Sequence, residues 1–195
     1  MRIGFLVLAF SLGTAVVASA MIPDLPGSNA TCEPGALYAT PAGTGPTLES
    51  IGSTVTVEVL GLDDQPVAGY PFQDVWLDDD GDGSLNVCVA GALADANTDA
   101  EGITTISGSL AAGGWTLDGL RVYLGGTPVT GDVLPIDVNS PDIDGDRTVN
   151  VTDVGLFATD YSSGTYSYRS DFDQSGTLDL VDVGIFAGHV GDTCP

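Results

Sequence analysis

The stretch DIDGDRTVNVTDVGLFATDY at residues 142–161 returns, with changes, as DFDQSGTLDLVDVGIFAGHV at residues 171–190. The two copies align without a gap, and eight of the 20 aligned positions are identical. The shared residues are mostly Asp and Thr in the first half and apolar in the second half. A repeat that begins with oxygen-bearing side chains and continues with spaced apolar ones predicts the same loop-then-helix unit twice.

Each copy begins with a loop, residues 142–153 and 171–182, that has the ligand spacing of an EF-hand calcium site. Ca²⁺ takes roughly six to eight oxygen ligands from such a flexible loop, whereas Mg²⁺ demands a rigid octahedron. The spacing therefore predicts Ca²⁺ as the cofactor, with an acidic turn that binds no ion as the alternative. The predicted ligands are Asp142, Asp144, Asp146, Thr148, Asn150 and Asp153 in the first loop, and Asp171, Asp173, Ser175, Thr177, Asp179 and Asp182 in the second.

The two loops differ at the sixth position, where a calcium loop usually needs glycine for a sharp turn. The second loop has Gly176 there, but the first has Arg147, which strains the turn and brings positive charge near the ion. We therefore expect the first site to bind calcium more weakly. At the eighth position, Val149 and Leu178 are apolar and could pair to join the two loops.

A short helix is predicted after each loop, and none before it. Apolar residues recur there at helical spacing, which indicates one apolar face per helix that packs in a core. These residues are Val151, Val154, Phe157 and Tyr161 after the first loop, and Leu180, Val183, Phe186 and Val190 after the second.

Paired loop–helix units without an entering helix resemble a dockerin, the calcium-dependent module that attaches secreted proteins to cohesin-bearing scaffolds. The resemblance covers about residues 139–192. It implies bound Ca²⁺ in both loops and a cohesin-like protein partner. Carried over by position, the partner surface would include Val151, Thr152, Leu180 and Val181, which are more apolar than the Ser-Thr pairs of many dockerins.

Alternation of apolar and polar residues marks a different fold before the repeat. The segments predicted as strands are 54–60, 71–77, 103–110, 119–126 and 132–138, and turn residues separate them. The strings VEVLGLDDQPVAGYPF and NTDAEGITTISG resemble bacterial immunoglobulin-like modules. We therefore predict a mainly β chain, in which an antiparallel Ig-like β-sandwich precedes a small α-type dockerin-like module.

The predicted organisation has four parts: a signal peptide at 1–20, a Pro/Gly-rich loop or tether at 21–44, the sandwich at 45–138 and the calcium-binding module at 139–195. Arg2, the apolar run IGFLVLAF and the ending Ala18-Ser19-Ala20 are typical of a secretory signal peptide. The apolar run is too short to span a membrane. We expect a secreted protein without membrane insertion after cleavage; a retained anchor is the alternative.

The net charge limits the classes of binding partner, and the cysteines suggest one disulfide. The chain has 27 acidic and four basic residues, a formal net charge of −23, which disfavours binding to nucleic acid or to anionic membranes. The cysteines are Cys32, Cys88 and Cys194. Secretion permits disulfides, and we expect Cys32 to pair with Cys88, leaving Cys194 over.

A third, weaker calcium loop is suggested by Asp78, Asp80 and Asp82, although Val89 stands where the closing carboxylate would be. An acidic hairpin without metal is the alternative. No catalytic motif stands out, so we do not expect an enzyme. Trp76 and Trp115 could stack on sugars, which would suit a carbohydrate-binding or polysaccharide-degradation component. Core packing is the favoured role for both. A cell-surface structural protein that calcium rigidifies is a further alternative.

Overall fold

A computed structural model describes residues 23–24, 26–79, 84–129 and 133–195 of the chain. The predicted signal peptide lies outside these residues, and so do Asp80 and Asp82 of the predicted third calcium loop.

Short strands make up most of the regular structure before the repeat. They are β1 (Asn29–Thr31), β2 (Gly35–Tyr38), β3 (Val55–Glu58), β4 (Val75–Asp79), β5 (Leu85–Val87), β6 (Ile103–Ile106), β7 (Ala112–Gly114), β8 (Leu120–Leu124), β9 (Thr127–Pro128) and β10 (Ile136–Asn139). Three of the five predicted segments contain a strand, namely β3, β6 and β8, and the other two overlap β4 and β10, which end two residues and one residue later. Turn residues and period-two alternation therefore located these strands, but they missed the 3₁₀ turn Phe72–Asp74 within the predicted strand 71–77.

Pairing between the strands is mainly antiparallel. The antiparallel sheets have the orders β1-β3-β6, β4-β8-β9 and β5-β7, while β10 pairs with β2 in parallel. A mainly β chain with antiparallel sheets is thus confirmed, and the parallel β2–β10 pair is a feature that the sequence did not predict.

One apolar core joins these sheets. Because side chains alternate along a strand, Val55 and Val57 of β3 and Val75 and Leu77 of β4 point inward and are fully buried or nearly so. Burying one such side chain stabilises the fold by about 1.5–3 kcal/mol. Trp76, which lies between Val75 and Leu77, is on the opposite, half-exposed face of β4.

The segment 21–44 contributes two strands rather than the expected loop or tether. In β1, Asn29 pairs with Glu58 of β3, and in β2, Leu37 pairs with Val138 of β10. Leu37 is buried in the core. These strands are too short to show a period, and their hydrogen-bond partners come from distant parts of the chain.

The two predicted helices are present as α1 (Val151–Ser163) and α2 (Leu180–His189), with 3₁₀ turns at Phe72–Asp74 and Tyr168–Ser170. No helix in the described ranges has the length and apolar character that crossing a membrane requires. Phe157 of α1 and Phe186 of α2 stack with ring centroids 5.0 Å apart. Together with Ile143, Val149 and Phe172 they form a second apolar core between the two units.

The predicted apolar face of each helix packs only in part, through Phe157 and Phe186. Val151 and Leu180 are 82% and 77% exposed, whereas Asp153 and Asp182 are buried. Each aspartate points inward to the loop before it, and the residue four positions later lies on the same side of the helix, as Phe157 does. This orientation turns most of the predicted face to solvent.

The predicted Cys32–Cys88 disulfide is wrong. The structure pairs Cys88 with Cys194, with a Cα–Cα distance of 5.7 Å, and Cys32 has a free thiol. The C-terminal segment folds back onto the first loop, where the backbone nitrogen of Val149 donates to the carbonyl of Asp192 (2.9 Å). That return places Cys194 beside Cys88, so the cysteines closer in sequence are not the ones that meet.

The first loop of the repeat packs directly on β7. The backbone nitrogen of Gly114 donates to the carbonyl of Asp142 (2.6 Å). At Gly113, which precedes Gly114 in β7, an added Cβ would overlap the Asp142 carboxylate. The absence of a side chain at Gly113 is what allows this approach.

We predict that Gly113→Ala lowers the free energy of unfolding by about 1–3 kcal/mol, because the new methyl forces the loop away from β7. Urea unfolding of the full chain measures the change. Gly108→Ala is the matched control, since nothing lies within 4 Å of a Cβ added there. Equal stability of the two variants would show that the loop does not depend on this contact.

Candidate metal centre

The first loop brings together three carboxylates. One oxygen each of Asp142, Asp144 and Asp146 lies within 4.8 Å of the others. Oxygens bound to one Ca²⁺ at about 2.3–2.6 Å cannot be more than about 5 Å apart, so these three are close enough to share an ion. They are the predicted ligands at positions one, three and five.

The second loop forms a corresponding cluster with a different third member. Oxygens of Asp171, Asp173 and Asp182 lie within 4.8 Å of one another. These are positions one, three and twelve. Position five is Ser175, whose Oγ donates to the Thr177 carbonyl (3.1 Å). Both loops therefore gather hard oxygen donors that could hold a metal ion.

The aspartates at position twelve connect the start of each loop to its helix. Asp153 accepts hydrogen bonds from the backbone nitrogens of Asp144 (3.2 Å) and Asn150 (2.9 Å). Asp182 accepts them from Phe172 (2.8 Å) and Asp179 (2.9 Å). Asp153 thus lies against the first loop, although it is not a member of the three-carboxylate cluster there.

Position nine has a role that the ligand pattern did not predict. Asn150 accepts a hydrogen bond from the nitrogen of Thr152 (2.8 Å), and Asp179 accepts one from Val181 (2.7 Å). With the aspartate three residues later, each completes a capping box at a helix N-terminus. The signal was present in the sequence, as N-x-x-D and D-x-x-D directly before an apolar pattern. The Nδ2 group of Asn150 also donates to the carbonyl of Thr148 (3.0 Å).

Burial disfavours the ionised form of three loop carboxylates and so raises the pKa of Asp142, Asp153 and Asp182. Asp142, Asp153, Asp171 and Asp182 are 0% exposed. Burial raises the pKa of Asp142 to about 6; a hydrogen bond from the Arg147 nitrogen opposes the shift, and neighbouring aspartates add to it. Burial likewise raises the pKa of Asp153 and Asp182. A bound cation would offset this desolvation and repulsion.

Backbone strain is shared between the loops. Arg147 at position six has φ of 75°, and Gly176 at the matching position has 82°. At position four the glycine is in the first loop instead: Gly145 has φ of 69°, and Gln174 in the second loop has φ of 58°. Each loop thus holds one non-glycine residue in the left-handed region, at a cost of about 1–2 kcal/mol. Strain at Arg147 alone does not make the first site weaker, and the expected difference in affinity rests on its charge.

Asp78, the described member of the predicted third loop, is half-buried on β4. Burial raises its pKa, while its hydrogen bond from the Asp79 nitrogen and the charge of Arg147 lower it. Arg147 of the first loop therefore lies close enough to β4 for its charge to act on Asp78.

The expected pairing of the loops through Val149 and Leu178 is replaced by pairing with the C-terminal segment. Val149 donates to the carbonyl of Asp192, and Gly191 donates to the carbonyl of Val149 (both 2.9 Å). His189 also serves structure here, because its Nδ1 lies 3.0 Å from Asp192 Oδ2.

Two contacts outside the ligand pattern support the second loop. The hydroxyl of Tyr166 donates to Asp171 Oδ2 (3.0 Å), and burial together with this bond raises the pKa of Tyr166 to about 12. Asp160, at the end of α1, accepts from Arg169 Nε (2.7 Å) and Nη2 (2.8 Å) and from Ser170 Oγ (2.7 Å). The ion pair fixes the segment between the two units.

The tryptophans considered for carbohydrate binding are both half-buried rather than in the core. Trp76 stacks on Tyr123 of β8, with ring centroids 5.9 Å apart and an interplanar angle of 12°. Trp115 follows β7 at the end of the strand.

Neither a protein-family model nor a curated protein sequence matches this chain. Among solved structures, the crystal structure of the Lin-41 filamin domain aligns with 60% of this chain and 96% of its own chain. The sequence identity is 13% and the TM-score is 0.33. Similarity at this level carries no argument, and the Ig-like assignment of the sandwich stays a prediction.

We predict that Asp160→Asn lowers the free energy of unfolding at pH 7 by about 1.5–3 kcal/mol, the range for hydrogen bonds to a charged group. Arg169 lowers the pKa of Asp160 in the folded state, chiefly through its hydrogen bonds. The stabilisation is therefore complete above the unfolded pKa of about 3.9 and is lost as pH falls through the lower folded pKa.

Urea unfolding of parent and variant between pH 7 and pH 2 tests this dependence. The difference in stability should shrink only at the acidic end. Asp63→Asn, at an exposed turn position, is the control for removing one negative charge. A parent–variant difference that stays constant over the whole range would contradict the ion-pair explanation.

Proposed function

We propose that this chain is a secreted, non-catalytic, calcium-binding protein whose dockerin-like repeat holds Ca²⁺ in both loops and docks to a cohesin-like protein partner. The observation that carries the proposal is the pair of carboxylate clusters, Asp142–Asp144–Asp146 and Asp171–Asp173–Asp182. Each cluster lies in a loop of the same spacing, followed by a capped helix of the same kind.

Calcium is the cation that best fits the donors. All side chains in the two clusters offer oxygen, and the loops supply further hydroxyls and backbone carbonyls. Magnesium would need a stricter octahedron and would keep more of its water. Two divalent cations would place four positive charges among carboxylates that repel one another, which stabilises the folded repeat.

Exposed apolar residues on the helices support a protein partner. Val151, Leu180 and Val181 are 82%, 77% and 52% exposed, and Val154 is 43% exposed. These residues gather in the first turns of α1 and α2, beside the proposed calcium sites. Three of them stand at positions where the dockerin resemblance puts the partner surface. A partner would remove this apolar surface from water.

Secretion is supported by two features of the chain. The basic and apolar N-terminal residues are typical of a signal peptide. The Cys88–Cys194 disulfide is the kind of crosslink that persists in oxidising compartments.

A second candidate is a structural protein in which calcium only rigidifies the chain. It is favoured by the hydrogen bond from Gly114 to Asp142 and by the disulfide, because both attach the repeat to the sandwich. The two candidates share the calcium sites and differ in the partner.

We predict that the full chain binds calcium in both loops, measured by isothermal titration calorimetry. Asp144→Ala and Asp173→Ala each remove an exposed ligand at the same position of one loop, so each should abolish binding at one site. The double variant should bind none. Stability should rise by about 2.7 kcal/mol per site when free calcium is 100 times the dissociation constant.

Asp63→Ala removes an exposed acid outside the clusters and should leave both sites intact. A parent chain that binds no calcium, or a double variant that binds as the parent does, would refute the proposed sites.

We predict that capture of the partner from the medium of the source organism requires calcium and the exposed helix residues. Val151→Asp with Leu180→Asp should abolish capture without reducing calcium binding, because charge opposes burial of this surface. Leu62→Asp, at a 72% exposed residue of the sandwich, should not affect it. Absence of calcium-dependent capture by the parent would favour the structural role instead.

A further inference from the structure

The backbone of the first loop is held by a side chain of the sandwich. Asn86 of β5 donates from Nδ2 to the carbonyl of Gly145 (3.0 Å). Gly145 is at position four, one of the two left-handed positions of the loop. A Cβ added to Gly145 would lie 2.8 Å from Asn86 Nδ2, so the two residues are in close contact. The hydrogen bond thus fixes a turn between the carboxylates at positions three and five.

The C-terminal segment holds the other half of the same loop. The backbone nitrogen of Cys194 donates to the carbonyl of Arg147 (3.1 Å), and that of Val149 donates to Asp192 (2.9 Å). Thr148 and Thr193 form an antiparallel bridge between these two bonds. The arrangement extends over positions six to eight, which include the strained Arg147.

Both supports of the first loop, Asn86 and the disulfide, start from β5 or from the residue that follows it. Asn86 lies in the strand, and Cys88 follows directly after it and is buried. The disulfide from Cys88 to Cys194 attaches the C-terminal segment to that point of the sandwich. The disulfide therefore attaches the residues that bond Arg147 and Val149 to the end of β5.

The second loop is built differently. The hydrogen bonds described for Ser175 and Thr177 join them to other residues of their own loop. The contact described between this loop and the sandwich is at its first residue, where Asn139 Nδ2 donates to the carbonyl of Asp171 (2.7 Å). Neither Asn86 nor the C-terminal segment takes part in the described bonds of the second loop.

We infer that Asn86 and the Cys88–Cys194 disulfide are positioning elements of the first calcium site, so that the calcium affinity of the first loop depends on them and that of the second loop does not. Fixing the backbone of one residue costs about 1–2 kcal/mol of conformational entropy. A loop ordered in advance by outside contacts does not lose that entropy when the ion binds. The inference rests on the proposed function, since it concerns the same two calcium loops.

Two backgrounds of the full chain isolate the sites for calorimetric calcium titration. Asp173→Ala leaves the first loop to bind, and Asp144→Ala leaves the second. Each background then receives Asn86→Ala or, separately, Cys88→Ser with Cys194→Ser. The matched controls are Asn29→Ala, which removes an exposed amide donor to Glu58, and Cys32→Ser, which removes the free thiol.

In the Asp173→Ala background, where the first loop binds, Asn86→Ala and the cysteine double change should each raise the calcium dissociation constant about tenfold or more. Loss of outer support has an effect of this size at other metal sites. With the second loop alone, the change should stay within about twofold, and the controls should stay within about twofold in both backgrounds. Equal effects of the test changes on the two loops, or none on the first, would overturn the inference while leaving the proposed calcium function in place.

A parent chain that binds no calcium would instead overturn the proposed function and this inference with it. Near-ultraviolet circular dichroism checks that each variant is folded. Asn86→Ala keeps the disulfide, so it decides the outcome if the cysteine double variant does not fold.

Discussion

The constraint on which the repeat depends is the accommodation of buried carboxylates inside two tight loops. Asp142 accepts the backbone nitrogens of Asp146 and Arg147, and Asp171 accepts those of Ser175 and Gly176. These bonds satisfy backbone donors of the turn, but they do not remove the repulsion among neighbouring aspartates. Buried acid groups therefore crowd each loop, and the helices that follow are capped by residues of the same loops.

The carboxylate clusters and the helices of the repeat could be predicted from sequence because they depend on local spacing. Oxygen donors at alternate positions and helices after them are fixed within about 20 residues of chain, and the structure contains both. Strands with a clear period and turns at each end, such as β3, were readable for the same reason. Capping by Asn150 and Asp179 was missed although its signal was present, because the same residues also fit the calcium pattern.

Features that depend on contacts between distant parts of the chain could not be predicted from local sequence patterns. The parallel pairing of β2 with β10 brings together residues about 100 positions apart in sequence. The partner of Cys88 was missed because proximity along the chain does not measure proximity in space. Val151 and Leu180 were expected in a core on periodicity alone, but the buried aspartates at position twelve decide which side of each helix faces inward.

The carboxyl end of β10 has a consequence for how the protein can be divided. Asn139 ends that strand, and its side chain donates to the carbonyls of Tyr168 and Asp171. Two residues separate this strand from the first loop, and its last side chain is bonded to the second loop, so no long linker divides the repeat from the sheets. A fusion tag made from the repeat alone would lose its contacts with Asn86 of β5 and Gly114 of β7, so the transferable unit is the β-sheet region together with the repeat.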